Sequence, residues 1–480
     1  MKQLNNPELF RQAAYINGNW INAGSAQPVF DPATGERLGG VPQLDADAVS
    51  RAIAAADAAL PAWRGLLAKD RGAILRRWHG LMLQHVDDLA RIITREQGKP
   101  LAEARGEILY AAGFLEWFSE EAKRIYGEVI PSPWPGRRIV TLKQPIGVAA
   151  LITPWNFPAA MLTRKAGAAL AAGCTVLAKP ASKTPFTALA LARLGEQAGL
   201  PAGVFNVLTG DAGTIGDVLT RDHRVRKLSF TGSTATGKRL MAACAGTLKS
   251  VSLELGGNAP FIVFDDADLD QAVEAALVSK YRNAGQTCVC ANRLFAQDSI
   301  HDAFVEKLAR AVRQLNVGNG LTAGIEQGPL VNAAAVEKVE LHIRDALRQG
   351  ARIACGGARH ALGGSFFQPT VLANAHADMQ ICREETFGPV APVIRFQTET
   401  EVIRLANASE YGLAAYFFSR DMARTWRVAE ALEYGMVGIN AGVISTEVAP
   451  FGGIKQSGLG REGGTQGIEA YLETKYLCLA

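Results

Sequence analysis

The chain has no long apolar run, no paired cysteine motif and no excess of charge, and each absence removes a class of function. Its most apolar stretch, residues 166–178, is interrupted by glycine and falls short of the roughly 20 residues that span a bilayer. Residues 1–24 mix Asn, Gln and charged side chains without the apolar segment of a secretory signal, so no membrane partner is expected. Lys plus Arg number 50 against 46 Asp plus Glu, a formal net charge of +4. Nothing in that balance points to nucleic acid, and any anion site has to be local. The seven cysteines (Cys174, Cys244, Cys288, Cys290, Cys355, Cys382, Cys478) are scattered apart from one Cys-x-Cys, with no paired C-x-x-C of a zinc site. No metal is expected, and the thiols fit a reduced, cytoplasmic protein. Internal repeats and low-complexity tracts are lacking too.

What is present suffices for large cores: 48% of the 480 residues are hydrophobic, and the length corresponds to about three domains. Asp45 can cap a helix running to residue 59, and helical periodicity continues over 69–85, 87–96 and 101–125. Three prolines punctuate 127–136, after which Arg138-Ile-Val-Thr-Leu-Lys alternates polar and apolar like a half-buried strand. From Ile146, short apolar strands (148–152, 175–178, 204–208, 227–230, 251–255) alternate with helices starting near 159, 185, 213 and 233. A second alternating block runs from Pro260 to about Asn440, with helices near 302–313, 333–349 and 423–433. Such alternation predicts an α/β fold, a parallel sheet with helices on both faces and ligands at the carboxyl ends of its strands. The tail, 467–479, is strand-like again and can pair with 138–143 or with another subunit.

One stretch stands apart, Ser279-Lys-Tyr-Arg-Asn-Ala-Gly-Gln-Thr-Cys-Val-Cys-Ala-Asn-Arg. Leu269, Val273, Ala276 and Leu277 recur at helical spacing, so Asn283-Ala-Gly is expected to end a helix and leave Cys288 on a turn. A polar turn keeps a thiol partly open with backbone N–H groups nearby, which favours a reactive thiolate; otherwise Cys288 is a small apolar packing residue. Glu254 ends the apolar strand of Val251-Ser-Leu-Glu-Leu-Gly-Gly. Desolvation there raises a carboxyl pKa as a general base requires, unless the group serves a structural ion pair.

In Thr153-Pro-Trp-Asn-Phe-Pro, Asn156 can offer its amide to a developing oxyanion or make an Asx turn. Lys179-Pro-Ala-Ser182 ends the next strand in the same way, or holds a solvated lysine before a turn. Thr231-Gly-Ser-Thr-Ala-Thr-Gly-Lys-Arg follows a further strand, where glycines let backbone N–H groups approach a phosphate or make a plain tight turn. Its Gly232 to Lys238 matches G-x-x-x-x-G-K, but Arg239 stands where a P-loop nucleotide hydrolase needs the Ser or Thr that holds magnesium. That class is the runner-up.

Thr153-Pro-Trp-Asn-Phe-Pro, Phe230-Thr-Gly-Ser, Leu253-Glu-Leu-Gly-Gly, Gly285-Gln-Thr-Cys and Glu384-Glu-Thr-Phe-Gly-Pro together resemble the aldehyde dehydrogenase superfamily, in its order and over most of the chain. Within it, Met161-Leu-Thr-Arg-Lys, the stretch from Lys280 to Arg293 and Glu447-Val-Ala-Pro-Phe-Gly-Gly-Ile-Lys are most similar to bacterial succinate-semialdehyde dehydrogenases. The resemblance implies a Rossmann-type dinucleotide-binding domain (1–124 and 145–256), an α/β catalytic domain (257–456) and a small β extension (125–144 and 457–480) that builds homodimers or homotetramers. It implies Cys288 as nucleophile, Glu254 as base, and Asn156 with the Cys288 N–H as oxyanion hole, in agreement with the roles open to those residues. The thiolate would add to the aldehyde, the oxyanion collapse with hydride transfer to a nicotinamide, and Glu254 activate water against the thioester.

At the cofactor the resemblance implies Trp155, Asn156, Lys179, Ser182, Gly232, Ser233, Leu255, Glu385 and Phe387. Gly232 and Ser233 would meet the pyrophosphate, in a departure from G-x-G-x-x-G, with Glu385 and Phe387 at the nicotinamide and Lys179 at the adenine ribose. Where NAD-preferring relatives often carry Glu this chain has Ser182, which does not repel a 2′-phosphate. NADP is therefore the implied cofactor and NAD the alternative. Arg164, Arg282 and Ser445 match carboxylate-binding positions, which implies succinate semialdehyde as substrate, with glutarate or another aliphatic semialdehyde as the alternative. Cys290 matches the Cys-x-Cys of redox-controlled relatives: it either traps an oxidised Cys288 through a strained bond or packs under the strand that follows.

Overall fold

The computed structural model describes residues 4–22 and 24–480; residues 1–3 and Ala23, part of the N-terminal stretch considered above, lie outside it. Short apolar runs bounded by turn residues are buried on both faces and pair in parallel, as such runs do. Phe205–Val207, Thr175–Lys179, Val148–Ile152, Val225–Thr231 and Ser250–Glu254 lie side by side in that order. Ala14–Ile16 and Asn19–Ile21 extend this sheet at one edge, and Gly458–Leu459 extends it at the other. Helices Ala160–Ala172, Pro185–Ala198, Ala212–Arg221 and Thr234–Ala245 make the crossovers. The side chains of Asp211 and Ser233 cap the last two, accepting from the Thr214 and Thr236 N–H groups at 2.8 and 3.4 Å.

The expected N-terminal helices are present as Ala46–Gly65, capped by Asp45, then Ala68–Gln84, Val86–Gln97 and Leu101–Glu121. Two hairpins ahead of them were not foreseen. Asn17 and Gly18, at φ 50° and 73°, turn the chain between Ala14–Ile16 and Asn19–Ile21. That Asn-Gly dipeptide is itself a hairpin signal. Ala26–Phe30 and Arg37–Pro42 form the second hairpin.

A second sheet takes the order Arg352–Cys355, Thr370–Ala375, Val390–Phe396, Ala291–Gln297, Ala259–Val263, Ala414–Phe418, Met436–Ile439, parallel except for the first strand. Only residues 255–258 join Glu254 to Ala259, so the chain leaves the carboxyl edge of one sheet and at once enters the amino edge of the other. Loops that follow strands in the first sheet therefore meet loops that precede strands in the second. The expectation that all the chemistry would follow strands holds for one sheet only.

The tail pairs internally: Leu472–Leu479 runs antiparallel along Arg138–Pro145, which pairs in turn with Val129–Ile130. Residues between the two sheets' last strands and this tail are used elsewhere, since Gly458–Leu459 lies opposite Glu254 and Leu253. Among the described residues no helix is long and apolar enough to cross a membrane. Gly458 has φ +136°, and a Cβ there would sit 1.9 Å from the Leu253 carbonyl oxygen. Only glycine fits this edge. Gly458→Ala is therefore expected to cost roughly 1–3 kcal/mol and lower the melting midpoint in calorimetry, whereas an unchanged midpoint would show that the edge tolerates a side chain.

Candidate active site

The helix Leu269–Tyr281 begins at Asp268, whose carboxylate accepts from the Asp270 and Gln271 N–H groups at 3.2 and 3.1 Å. Beyond its end Asn283, Ala284 and Gly285 take φ values of 53°, 56° and 73°. A left-handed conformation costs a residue with a Cβ roughly 1–2 kcal/mol. Asn283 offsets that cost with its own bonds. Its N–H donates to Glu103 Oε2 at 2.8 Å, its Nδ2 donates to the Asn156 and Gln286 carbonyls at 3.1 and 3.2 Å, and its Oδ1 accepts from Gln97 at 2.8 Å. Gly285 follows, where a Cβ would lie 2.3 Å from the Gly388 carbonyl oxygen. Cys288 then emerges partly exposed, just ahead of the strand Ala291–Gln297.

Cys288 is on the expected turn, but its thiol does not have the low pKa expected of that turn. Burial pushes it up to about 12; the Arg164 guanidinium offsets part of this, and the charges of Glu385 and Glu254 add to it. The turn is closed in on one side by Gly257, where a Cβ would come within 2.4 Å of the Cys288 carbonyl oxygen, and stays partly open on the other. The thiol proton has to be lost before the sulfur acts as a nucleophile.

Asn156 is buried and spends one amide proton on the Gln286 carbonyl at 3.0 Å. Its second Nδ2 proton remains for another acceptor. Lys99 pins the loop, donating to the Asn156 carbonyl at 2.7 Å and to Glu107 Oε2 at 2.6 Å in a fully buried pair.

Glu254 is buried, and its Oε2 has no hydrogen-bond partner among the described residues. Burial and the charge of Glu462 push its pKa well above the ordinary carboxylate range, against the pull of Arg164, Lys165 and Arg461. Glu462 behaves oppositely. Burial would raise it too, but Lys165 and Arg164 hold it below the ordinary range. Glu462 accepts from Arg164 Nε at 2.6 Å, from Lys165 Nζ, and from Ser229 Oγ at 3.2 Å. Arg164 is thus an ion-pair partner of Glu462 that also lines the space around Cys288. Its guanidinium stacks over Phe451 at 4.1 Å, and its Nη1 has no partner among the described residues.

A cavity of about 300 Å³ brings Cys288, Arg164, Arg282 and Ser445 together with Tyr110, Phe157 and Phe451. Arg282 lies over the Phe157 ring at 5.6 Å, and its Nε is unpartnered among the described residues. Sequence reasoning missed Tyr110, Lys165 and Glu462. For Tyr110 a signal existed, because Glu103, Glu107 and Tyr110 recur at i, i+4 and i+7 on one helix.

A second cavity, also about 300 Å³, opens beside the helices Ala212–Arg221 and Thr234–Ala245 and is lined by Lys179, Phe230, Thr236 and Arg239 among others. Lys179 Nζ donates to the Pro180 carbonyl at 3.0 Å and to Ser182 Oγ at 3.2 Å. Burial lowers Lys179 to about 8, with Asp211 opposing. The Gly232 N–H donates to the Glu254 carbonyl at 3.0 Å, and a Cβ on Gly237 would meet Leu255 at 2.4 Å, so the helix sits close on the strand end. Gly232 and Ser233 alone separate Val225–Thr231 from Thr234–Ala245, too little chain to wrap a phosphate as a P-loop does. Lys238 instead donates to Gln456 Oε1 at 2.6 Å. The nucleotide-hydrolase alternative therefore has no loop to act with.

Trp155 and Phe387 meet edge to face at 5.6 Å, with Phe387 at φ 55°. Beside them Glu385 Oε1 accepts from the Gly257 N–H at 3.1 Å, and burial raises this carboxyl to about 7. Leu255 packs with Phe230 and Leu253. Cys290 is buried: Lys280 Nζ approaches its Sγ at 3.3 Å, and the thiol donates weakly to the Lys280 and Ala291 carbonyls at 3.6 Å.

A thiol in a cavity, a carboxyl of raised proton affinity whose charge acts on that thiol, and an amide donor held against the turn before it suit covalent chemistry at a carbonyl carbon. The aldehyde dehydrogenase family pattern matches residues 20–477. The chain is similar to the glutarate-semialdehyde dehydrogenase of Pseudomonas aeruginosa, 64% identical over 99% of each chain. It is also similar to the NADP(+) succinate-semialdehyde dehydrogenase of Escherichia coli, 63% identical over 99% of each. The crystal structure of succinate-semialdehyde dehydrogenase from Burkholderia pseudomallei matches with a TM-score of 0.99 at 60% identity, covering 100% of both chains. Fold, sequence and the residues gathered around Cys288 agree, and the chain belongs to the aldehyde dehydrogenase family.

Proposed function

We propose that the chain oxidises succinate semialdehyde to succinate with NADP as the electron acceptor. The observation that carries this reading is the cavity in which Cys288 faces the same space as Arg164, Arg282 and Ser445. Guanidinium donors at the far end of a small cavity suit the carboxylate of a short ω-acid aldehyde. Glutarate semialdehyde, one carbon longer, is the second reading, favoured by the 64% identical relative that carries that name.

The sheet of residues 148–254 would serve as the dinucleotide-binding domain, and the cavity lined by Lys179 fits an adenosine. Gly232 leaves room for close approach, its own N–H being bonded to the Glu254 carbonyl, and Ser233 at the amino end of a helix presents a favourable dipole to the phosphates. Lys179 and Ser182 present donors and no carboxylate, which suits a 2′-phosphate. Glu385, Phe387, Trp155 and Leu255 would border the nicotinamide end. When bound, the cofactor supplies the hydride acceptor.

Addition of Cys288 Sγ to the aldehyde carbon requires loss of the thiol proton. That proton passes to solvent, and Glu254, with its unpartnered Oε2 and raised proton affinity, is the base kept for the water of the second step. The second Asn156 amide proton and the Cys288 N–H hold the developing oxyanion. Once the substrate carbon is oxidised, the acyl group is a thioester on Cys288. Glu254 then takes a proton from water as the water attacks the thioester carbon, the C–S bond breaks, and the acid leaves with Cys288 released as thiolate.

The small sheet is assigned to subunit contact in a homodimer or homotetramer, because Val129, Tyr476, Leu477 and Leu479 leave apolar surface on its strands. A cytoplasmic setting suits its free cysteines. Cys290 is read as a packing residue, held against Lys280.

Cys288→Ser should abolish aldehyde oxidation, since a hydroxyl is a far weaker nucleophile than a sulfur; Glu254→Gln, where acyl-enzyme still forms, should give a burst of reduced cofactor without sustained turnover. Stopped-flow absorbance separates the two, and full turnover by either variant would reassign the roles. Ser182→Glu places a carboxylate beside the 2′-phosphate and should move preference towards NAD in competition kinetics. No shift would place the discrimination on other residues. Arg282→Ala should lower kcat/KM for succinate semialdehyde about tenfold or more and that for an uncharged aldehyde of similar length much less. Equal losses would mean that Arg282 does not read the carboxylate.

A further inference from the structure

We propose that Tyr110 is a hydrogen-bond donor of the acid subsite, the neutral, directional contact that adds to two guanidinia and selects a terminal carboxylate. This rests on the reading of the cavity as a semialdehyde site. Tyr110 stands on the helix Leu101–Glu121, whose Glu103, Gly106, Glu107 and Tyr110 form one wall of the cavity. Its ring is fixed edge to face against Phe114 at 4.8 Å. Its hydroxyl oxygen is buried and makes no well-aligned hydrogen bond among the described residues, although the Arg164 guanidinium lies close enough to hold the oxygen and leave its proton free.

Arg164 Nη1 and Arg282 Nε, from the same cavity wall, are buried and unpartnered as well. Buried polar atoms nearly always find a partner inside the protein. Unpartnered guanidinium donors around one space, with only the phenol and the Thr287 hydroxyl beside them and no free carboxylate, point to a ligand that brings acceptors. An ionised carboxylate is such a ligand, with about four lone-pair sites and no proton.

The acids in the wall do not meet this need. Glu107 is occupied by Lys99 Nζ and by the Ala159 and Ala160 N–H groups, and Glu103 by the Asn283 N–H. The phenol lies within electrostatic reach of both guanidinia and of Cys288. Two cations beside a hydroxyl draw its oxygen towards themselves and turn its proton away, into the cavity. The acid group of the substrate would then sit between Tyr110 and the arginines while the aldehyde carbon reaches Cys288.

Tyr110→Phe removes one oxygen and keeps the ring. The ratio of kcat/KM for succinate semialdehyde to that for butanal should fall roughly tenfold or more, chiefly through KM for the acid. Succinate added to the enzyme alone should raise the melting midpoint of wild type, and raise that of the variant less. Without succinate the variant should be no less stable, since the lost hydroxyl made no well-aligned hydrogen bond. An unchanged ratio with an unchanged succinate shift overturns the proposal. A variant that loses stability and both activities in equal proportion overturns it too, in favour of a packing role. A wild type with no preference for the acid over butanal brings down the semialdehyde reading itself, and Tyr110's role with it.

Discussion

The turn held by Asn283 is the constraint on which the rest of the site depends. Consecutive residues in the left-handed region relax unless their surroundings over-determine them. Here the fixing bonds reach four separate segments: the helix Val86–Gln97 through Gln97, the helix Leu101–Glu121 through Glu103, the loop after Val148–Ile152 through the Asn156 carbonyl, and the next turn through Gln286. The same Asn156 carbonyl is the acceptor of Lys99, whose buried partner is Glu107. Breaking such a pair from one side leaves an uncompensated charge and costs about 3–5 kcal/mol. The position of Cys288 is thus set by a network that never touches its sulfur.

Electrostatics in the site divides two neighbouring carboxyls into different roles. Glu254 and Glu462 share the same cations, but only Glu462 is bonded to them, through Arg164 and Lys165. It keeps the charge. Glu254, buried beside that charge with an unpartnered oxygen, keeps its affinity for a proton. Like charges in one low-dielectric space push proton affinities apart, which is how a base and a fixed anion can be made from one residue type.

Much of this was legible in the sequence where the signal was local. Apolar runs such as Val148–Ile152 and Thr175–Lys179 marked the parallel strands, and Asp45 marked the start of its helix. The turn at Asn283-Ala-Gly was legible as a turn, and its left-handed backbone was not, because that depends on acceptors and donors from distant loops. Arg164 was legible as a site residue and its ion pair was not, because nothing near it in sequence announces Glu462. The partial exposure of Cys288 on a turn was legible. The burial that raises its thiol was not, because it comes from the way residues 255–258 set one sheet edge against the other. Tyr110 carried a helical spacing shared with two acids, and only the cavity shows what that face is for.

The sequence separation of these contacts also bears on when the site can exist. Arg164 and Glu462 are bonded across 298 residues, and the Gly458–Leu459 strand that borders Glu254 belongs to the last part of the chain. Such long-range closures are slow, since loop entropy is lost before the contact forms. During synthesis the first sheet can assemble from residues already made, with Arg164 and Lys165 present but no Glu462 to pair with them. A nascent chain paused short of residue 457 would hold buried cations and an open sheet edge beside Glu254. It would be a species prone to stick to other chains, so the final stretch of translation is also the step that makes the enzyme safe.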